Sequence, residues 1–341
     1  MKVSNIKDIR LSVLVIAYER KEFVKEALLS VLDQTIPPNL YEIICVIGFK
    51  DEGISNFLKE NNIIEIYCHC RIGKNLSIGL NSCKGDYVVF LEDDDKFTRD
   101  KLEMILKAFE NNKIIYYHNN HEIIDKYSQI LDLNQVKKKS FDRQFTRSTL
   151  WNPPHNYHRI TKYSGDFNLS SIAVSRSHII KYNSVLAKIE SAADFIVFSV
   201  LLQDNFPFYF DVNRTTLYRM HENSETHSIE RNHEKLIDHS KREYRSALIV
   251  YESLNSEPVK RMFVEWLLSL KFYAYVAGIK DLKPSFIDKL KLFYYGITAP
   301  NPSYLILIIA VVVYSMFPKY VDKLAVKRTT KIYKISYKSN K

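Results

Sequence analysis

The chain has 341 residues, 46% of them hydrophobic and 26% charged, ordinary figures for a folded protein large enough for one big domain with an appendage or two modest ones. Its net charge of +10 suggests nucleic acid until it is located: residues 319–341 hold eight Lys or Arg against the single acid Asp322, a surplus of +7 that leaves the body only +3. So weakly basic a body gives no case for DNA or RNA as a partner.

Residues 11–17 form a near-continuous apolar run, the pattern of a strand in a parallel sheet. Phe23, Val24, Ala27, Leu28, Val31 and Leu32 then recur at helical spacing, and Pro37-Pro38 closes that helix. A strand over 41–49, a short helix ending near Asn61-Asn62, a strand over 63–68, a helix over 73–83 punctuated by Gly85 and a strand over 87–91 follow. This alternation predicts an α/β fold, a mostly parallel sheet flanked by helices, with ligands at the C-terminal strand ends.

The pattern then loosens. Residues 113–119 and 121–133 read as a hairpin, 135–147 as a basic loop and 151–157 as an irregular aromatic stretch. His118, His121, His155 and His158 lack a repeated spacing and read as loop histidines. From about residue 225 the chain is helical: 229–256 is charged, 259–279 apolar and aromatic, and 284–297 alternates Lys with Phe and Tyr. The last two suit a membrane interface. Residues 303–317 are uncharged and mostly apolar. At about 1.5 Å per residue they reach roughly 22 Å, against a hydrocarbon core of about 30 Å. They form a borderline span, with a buried core helix as the alternative. The basic tail beside them favours the membrane and marks its cytoplasmic side. Three regions are expected, 1–226, 227–301 and 302–341, giving a membrane-associated protein whose first domain faces the cytoplasm.

All four cysteines, Cys45, Cys68, Cys70 and Cys83, lie in the first quarter. Cys68-His69-Cys70 is too tight for a zinc pair and no second pair follows, so thiols in a reducing compartment are expected. Residues 1–10 are polar and 11–17 too short for a secretory leader.

The strand over 87–91 runs into Glu92-Asp93-Asp94-Asp95. Four carboxylates at one strand tip repel one another, and a hard divalent cation, Mg2+ or Mn2+, is the natural way to neutralise them. Such an ion usually serves a phosphate-bearing substrate. A solvated acidic turn capping the next helix is the plain alternative.

Four stretches together resemble glycosyltransferase family 2, the inverting sugar transferases of the Rossmann-like GT-A fold: residues 11–20 with 27–35, 73–81, 85–95 and 217–224. The resemblance covers roughly residues 10–226. It implies that the acidic cluster holds a divalent metal against the donor diphosphate, with Asp94 the first choice as ligand and Asp93 and Asp95 competing for second place. Glu92 faces the donor ribose in this reading. His221 matches a position that completes the metal shell in some members, and Arg219 is placed to contact the diphosphate through its planar fork. Tyr18, Glu19 and Lys74 border the donor. Asp194, followed by the apolar face Ile196, Val197, Val200 and Leu201, falls where the family places the base that takes the acceptor proton. Glu190 is the runner-up, and a helix N-cap acid is the plain reading of either. One departure bears on the donor. Where the family commonly has an acid that reads uracil, this chain has Val46-Ile47-Gly48-Phe49, with no acid before Asp51. A uridine donor is thereby less expected and guanosine or another nucleotide more so.

The leading expectation is thus a metal-dependent, membrane-associated inverting glycosyltransferase acting on a lipid-linked or surface glycan. A non-catalytic sugar-nucleotide-binding or scaffold protein of the same fold is the alternative. The intact acidic cluster, Asp194 and the Arg219–His221 stretch argue against it. Nucleotidyl transfer lacks its glycine-rich, basic phosphate loop.

Overall fold

The computed structural model describes residues 9–131, 145–147, 165–204, 206–222, 224, 233–276 and 279–298. It divides into two units between Met220 and His221.

The first unit is built around β1 (Leu11–Ala17), whose seven residues are all buried, as a near-continuous apolar run requires. It pairs in parallel with β2 (Tyr41–Ile47) and β4 (Tyr87–Glu92), and β2 pairs in parallel with β3 (Ile64–Tyr67). Beyond β4 the sheet becomes mixed. β8 (Ile172–Ser175) runs antiparallel to β4 and to β6 (Tyr116–Ile124). β9 (Phe208–Arg219) lies parallel to β6 and carries β5 (Lys96–Phe97) and β7 (Phe145–Arg147) antiparallel. The order is β3-β2-β1-β4-β8-β6-β9-β5, with β7 also on β9. Helix α1 (Val24–Leu32) turns Val24, Ala27, Leu28 and Val31 inward, positions three and four apart that share one face. With Leu102 and Ile105 of α4 (Lys101–Asn112) they meet Val13, Val15, Val89 and Leu91 in one core. Between them in the chain come α2 (Glu52–Glu60), capped by Asp51, and α3 (Ile72–Ser82). Helix α5 (Ala193–Leu201) follows β8.

Three expectations are corrected. The hairpin expected from 113–119 and 121–133 turns later than expected: Tyr116–Ile124 is one strand, β6, whose polar run belongs to the sheet, and the chain reverses only after it, where Ile124 bridges Ile130 antiparallel and the Leu131 N–H donates to the Ile123 carbonyl (2.9 Å). Asn119 Nδ2 donates to Thr216 Oγ1 (2.9 Å) and Asn120 Nδ2 to the Val212 carbonyl (2.9 Å), while His118 Nε2 meets the Phe167 carbonyl at 2.7 Å. A pattern that reads as a turn is thus a set of buried polar groups on a bulged strand, most of them hydrogen-bonded within the sheet. His118 and His121 are accordingly strand residues, not loop histidines. Gly85 does not punctuate α3, which ends at Ser82. A Cβ there would lie 2.6 Å from the Leu11 carbonyl carbon, so the approach to β4 requires glycine. Cys68 and Cys70 are joined in a disulfide, with Cα atoms 5.3 Å apart, within the reach of that bond. Only Cys45 and Cys83 are the buried thiols expected.

The second unit is helical from α6 (His233–Ser253) through α7 (Glu257–Val276) to α8 (Phe286–Thr298). Among the described residues no helix is long and apolar enough to cross a membrane. The 303–317 segment, the basic tail, His155, His158 and the 151–157 stretch lie outside the described residues.

Candidate active site at the C-terminal strand ends

The strands β1, β2, β3 and β4 release their chains at one end of the parallel half of the sheet, and most of the residues expected at the donor side lie there. Glu92 is still in register with Ile16 of β1. The chain then turns, with Asp93, Asp94 and Asp95 only 1%, 7% and 1% exposed. Burial drives the Glu92 carboxyl well above its usual range, and the Asp95 and Asp94 charges add to this. It pushes Asp93 up to about 7 despite Arg20 beside it, and Asp95 up to about 7 with help from Asp94.

The cation that sequence reasoning missed is Arg20. Its Nη2 donates to Asp93 Oδ1 at 2.5 Å and its Nη1 to Asp94 Oδ2 at 2.7 Å. Burial works against the charge on Arg20, yet Asp93 and Asp94 hold its pKa above the ordinary guanidinium value. Its role comes from the pairing of β1 with β4: a residue three positions past β1 faces the acids at the tip of the adjacent strand.

Arg219 lies beneath the same turn and is 1% exposed. Its backbone N–H donates to Asp95 Oδ1 (2.8 Å) and its Nε to the Asp94 carbonyl (2.7 Å). Nη1 reaches the Asp125 and Lys126 carbonyls, Nη2 reaches Glu26 and Ser128, and the guanidinium lies 4.4 Å over the Phe23 ring. In this arrangement its donors are engaged within the protein, where they shape the turn. Lys101 is a second buried cation, its Nζ 2.6 Å from both the Ser170 carbonyl and Thr216 Oγ1. Burial holds its pKa well below the ordinary lysine value, against the pull of Asp95.

Asp194 stands in the first turn of α5, just after Ala192, which takes a left-handed φ of 57°. Its Oδ1 accepts from the Phe195 N–H (2.8 Å) and its Oδ2 from the Asn168 N–H (3.0 Å). Asn168 Oδ1 in turn accepts from the Ser170 N–H (2.9 Å), and Ser170 Oγ accepts from the Glu92 N–H (3.0 Å). A single 3-10 turn, Leu169–Ser171, thus couples Asp194 to the acidic strand end. Glu190 lies in the loop before α5, half-buried.

At the ends of β1 to β3 the Tyr18 ring stacks on His69, centroids 5.4 Å apart. His69 Nδ1 donates to the Gly48 carbonyl at 2.7 Å. A Cβ on residue 48 would lie 2.3 Å from the Tyr18 carbonyl oxygen, so glycine lets the two strand ends close. The flanking Cys68–Cys70 bridge confines His69 from both sides. Asp51, the nearest acid after β2, is engaged in capping α2 through the Ile54 N–H (3.1 Å). Glu19 and Lys74 are exposed, Lys74 in the first turn of α3. His221 is buried and opens the second unit.

A hard cation suits this donor set. Asp93 Oδ2 and Asp95 Oδ2 are buried and accept no hydrogen bond, and carboxylate oxygens are the ligands such ions take. Arg20 already bridges Asp93 Oδ1 and Asp94 Oδ2, and among the described residues no three His, Cys, Asp or Glu side chains converge as a ready metal centre.

Residues 12–165 match the family model described as Glycosyl transferase family 2. An uncharacterized glycosyltransferase of Rickettsia bellii is 30% identical over 132 residues, 37% of this chain and 19% of that protein. The Escherichia coli protein WfaP, named UDP-Glc:alpha-D-GlcNAc-diphosphoundecaprenol beta-1,3-glucosyltransferase, is 30% identical over 117 residues, 33% of this chain and 46% of its own length. The chain therefore spans less than half of either relative. The crystal structure of Staphylococcus aureus TarS 1-349 in complex with UDP-GlcNAc shares the fold, with a TM-score of 0.54 at 14% identity over 90% of this chain and 92% of that one.

Proposed function

We propose that this chain, whose residues 12–165 match the model of Glycosyl transferase family 2, is a member of that family and moves a sugar from a nucleotide-sugar donor to an acceptor hydroxyl in one inverting displacement. Asp194 takes the acceptor proton as that oxygen attacks the anomeric carbon from the face opposite the leaving nucleotide. The observation that carries this reading is the turn that ties Asp194 to Glu92 through Asn168 and Ser170. It holds the assigned base and the assigned donor end as one piece, and fixed mutual placement is worth several kcal/mol of a barrier, of order 7–11 in the best intramolecular cases.

The donor base rests against Tyr18 and His69, with Glu19 and Lys74 at its border and Glu92 towards the ribose. The missing acid between Val46 and Phe49 favours a base other than uracil. Asp94 and Asp95 would hold a divalent ion, which would supply positive charge against the growing negative charge of the leaving diphosphate. Arg219 keeps the turn in shape for that ligand set. The acceptor is a lipid-linked or surface glycan used at the cytoplasmic face of a membrane. The name of the E. coli relative supports it, as do the apolar 303–317 run and the basic tail.

The test is a panel of nucleoside diphosphates and their sugars with and without Mn2+. Asp94→Asn removes a ligand charge and little volume, so it is expected to abolish transfer and Mn2+-dependent nucleotide binding while thermal unfolding stays cooperative. Normal turnover by that variant would remove Asp94 from the site.

A further inference from the structure

We propose that α8 docks flat on an anionic lipid surface through one face. Of the twelve large apolar side chains exposed among the described residues, five lie on this thirteen-residue helix: Phe286 (74%), Ile287 (62%), Leu290 (53%), Phe293 (47%) and Tyr294 (62%). Scattered singly, such residues need no explanation; gathered on one helix they mark an interaction surface.

The helical wheel sharpens this. At about 100° per residue, these five fall within an arc of roughly 120°, and Lys289 and Lys291 flank it about 40° beyond either edge. The opposite side faces the protein: Leu292 is wholly buried, and Asp288 accepts from Lys271 of α7 at 2.8 Å. Ser285 and Asp288 bond reciprocally at the N-terminus, a capping pair that fixes where the helix starts. The apolar face is therefore held outward by contacts on the other side.

An apolar arc bordered by lysines is the pattern of a helix lying in a bilayer interface, with stems buried and ammonium groups at the headgroups. Two sequence features choose lipid over a protein partner. The fifteen uncharged residues 303–317 begin only five residues after Thr298, and residues 319–341 then carry eight basic groups against one acid. Both place the helix beside chain suited to a negatively charged bilayer. This inference goes beyond the transfer reaction, because nothing in it depends on a donor, and vesicle binding is measured without nucleotide.

The experiment uses the full chain carrying Leu290→Trp, with the unsubstituted chain as the background for Trp151 and Trp266. Vesicles are of phosphatidylcholine with phosphatidylglycerol, or phosphatidylcholine alone, each with and without brominated acyl chains. The added tryptophan is expected to shift to the blue and lose emission to the bromolipid, with tighter binding to the anionic vesicles. Leu290→Glu with Phe293→Glu is expected to weaken vesicle affinity about tenfold or more. The proposal is overturned if the chain sediments with vesicles while the new tryptophan is not quenched, which would leave the tail as the only anchor. It is equally overturned if the chain ignores vesicles, or if the double variant converts a dimer to a monomer, which would assign the face to a second copy.

Discussion

Arg20 carries the counter-charge for two buried acids, and that gives it a dual role. It stabilises Asp93 and Asp94 in the absence of an ion, and it stands where an incoming divalent ion meets them. Removing one partner of a buried pair leaves the other uncompensated, at a cost of about 3 kcal/mol when one side is partly exposed. Arg20→Met is therefore expected to lower the melting temperature of the metal-free protein. Mn2+ should then raise it by more than in the unsubstituted chain, because the ion no longer displaces a guanidinium. A smaller Mn2+ shift in the variant would show that Arg20 helps to hold the ion's surroundings and does not compete with it. Arg20 escaped sequence reasoning because its role depends on β1 and β4 being adjacent in register, which no local pattern records. The acids themselves were legible, since four carboxylates after an apolar strand are costly wherever that strand lies.

At the scale of elements, the parallel half of the sheet was readable because β1, β2 and β4 are largely apolar runs and the helices between them keep a three-four spacing of apolar residues. β6 was not. Its His118-Asn119-Asn120-His121 run has the polarity of a turn, and its hydrogen-bond partners come from afar, Thr216 and Val212 from β9 and Phe167 from the loop before β8. The strand leaves a measurable trace in stability. Burial lowers the His118 pKa from its ordinary 6.5 to about 3, so between those values the unfolded chain binds the proton that the folded chain refuses. Stability then rises with pH across that window and is lost as pH falls through it, by up to about 1.4 kcal/mol per unit. His118→Gln keeps a donor for Phe167 and cannot ionise. The slope of melting temperature against pH between 6.5 and 4 is expected to flatten in that variant, and an unchanged slope would place the acid sensitivity elsewhere. The Cys68–Cys70 bridge was also illegible, because spacing alone does not distinguish two thiols from a closed three-residue ring.

For the whole molecule, the apolar 303–317 run and the +7 tail predict attachment in which buried apolar surface is the larger contribution and each basic residue near the lipid adds about 1 kcal/mol. Removing residues 302–341 should move most of the protein to the soluble fraction, leaving the weaker contact through α8. High salt should weaken the intact protein's binding without releasing it, since screening does not reach buried apolar surface; full extraction by salt would make the contact purely electrostatic. The central claim concerns Asp194 and its coupling to the donor end through Asn168 and Ser170. The most direct measurement is turnover and donor affinity of Asp194→Asn side by side with the unsubstituted chain. Loss of proton transfer alone predicts turnover lower by roughly two to four orders of magnitude with donor affinity unchanged. Near-normal turnover in Asp194→Asn, or the same loss in Glu190→Gln in its place, would contradict it.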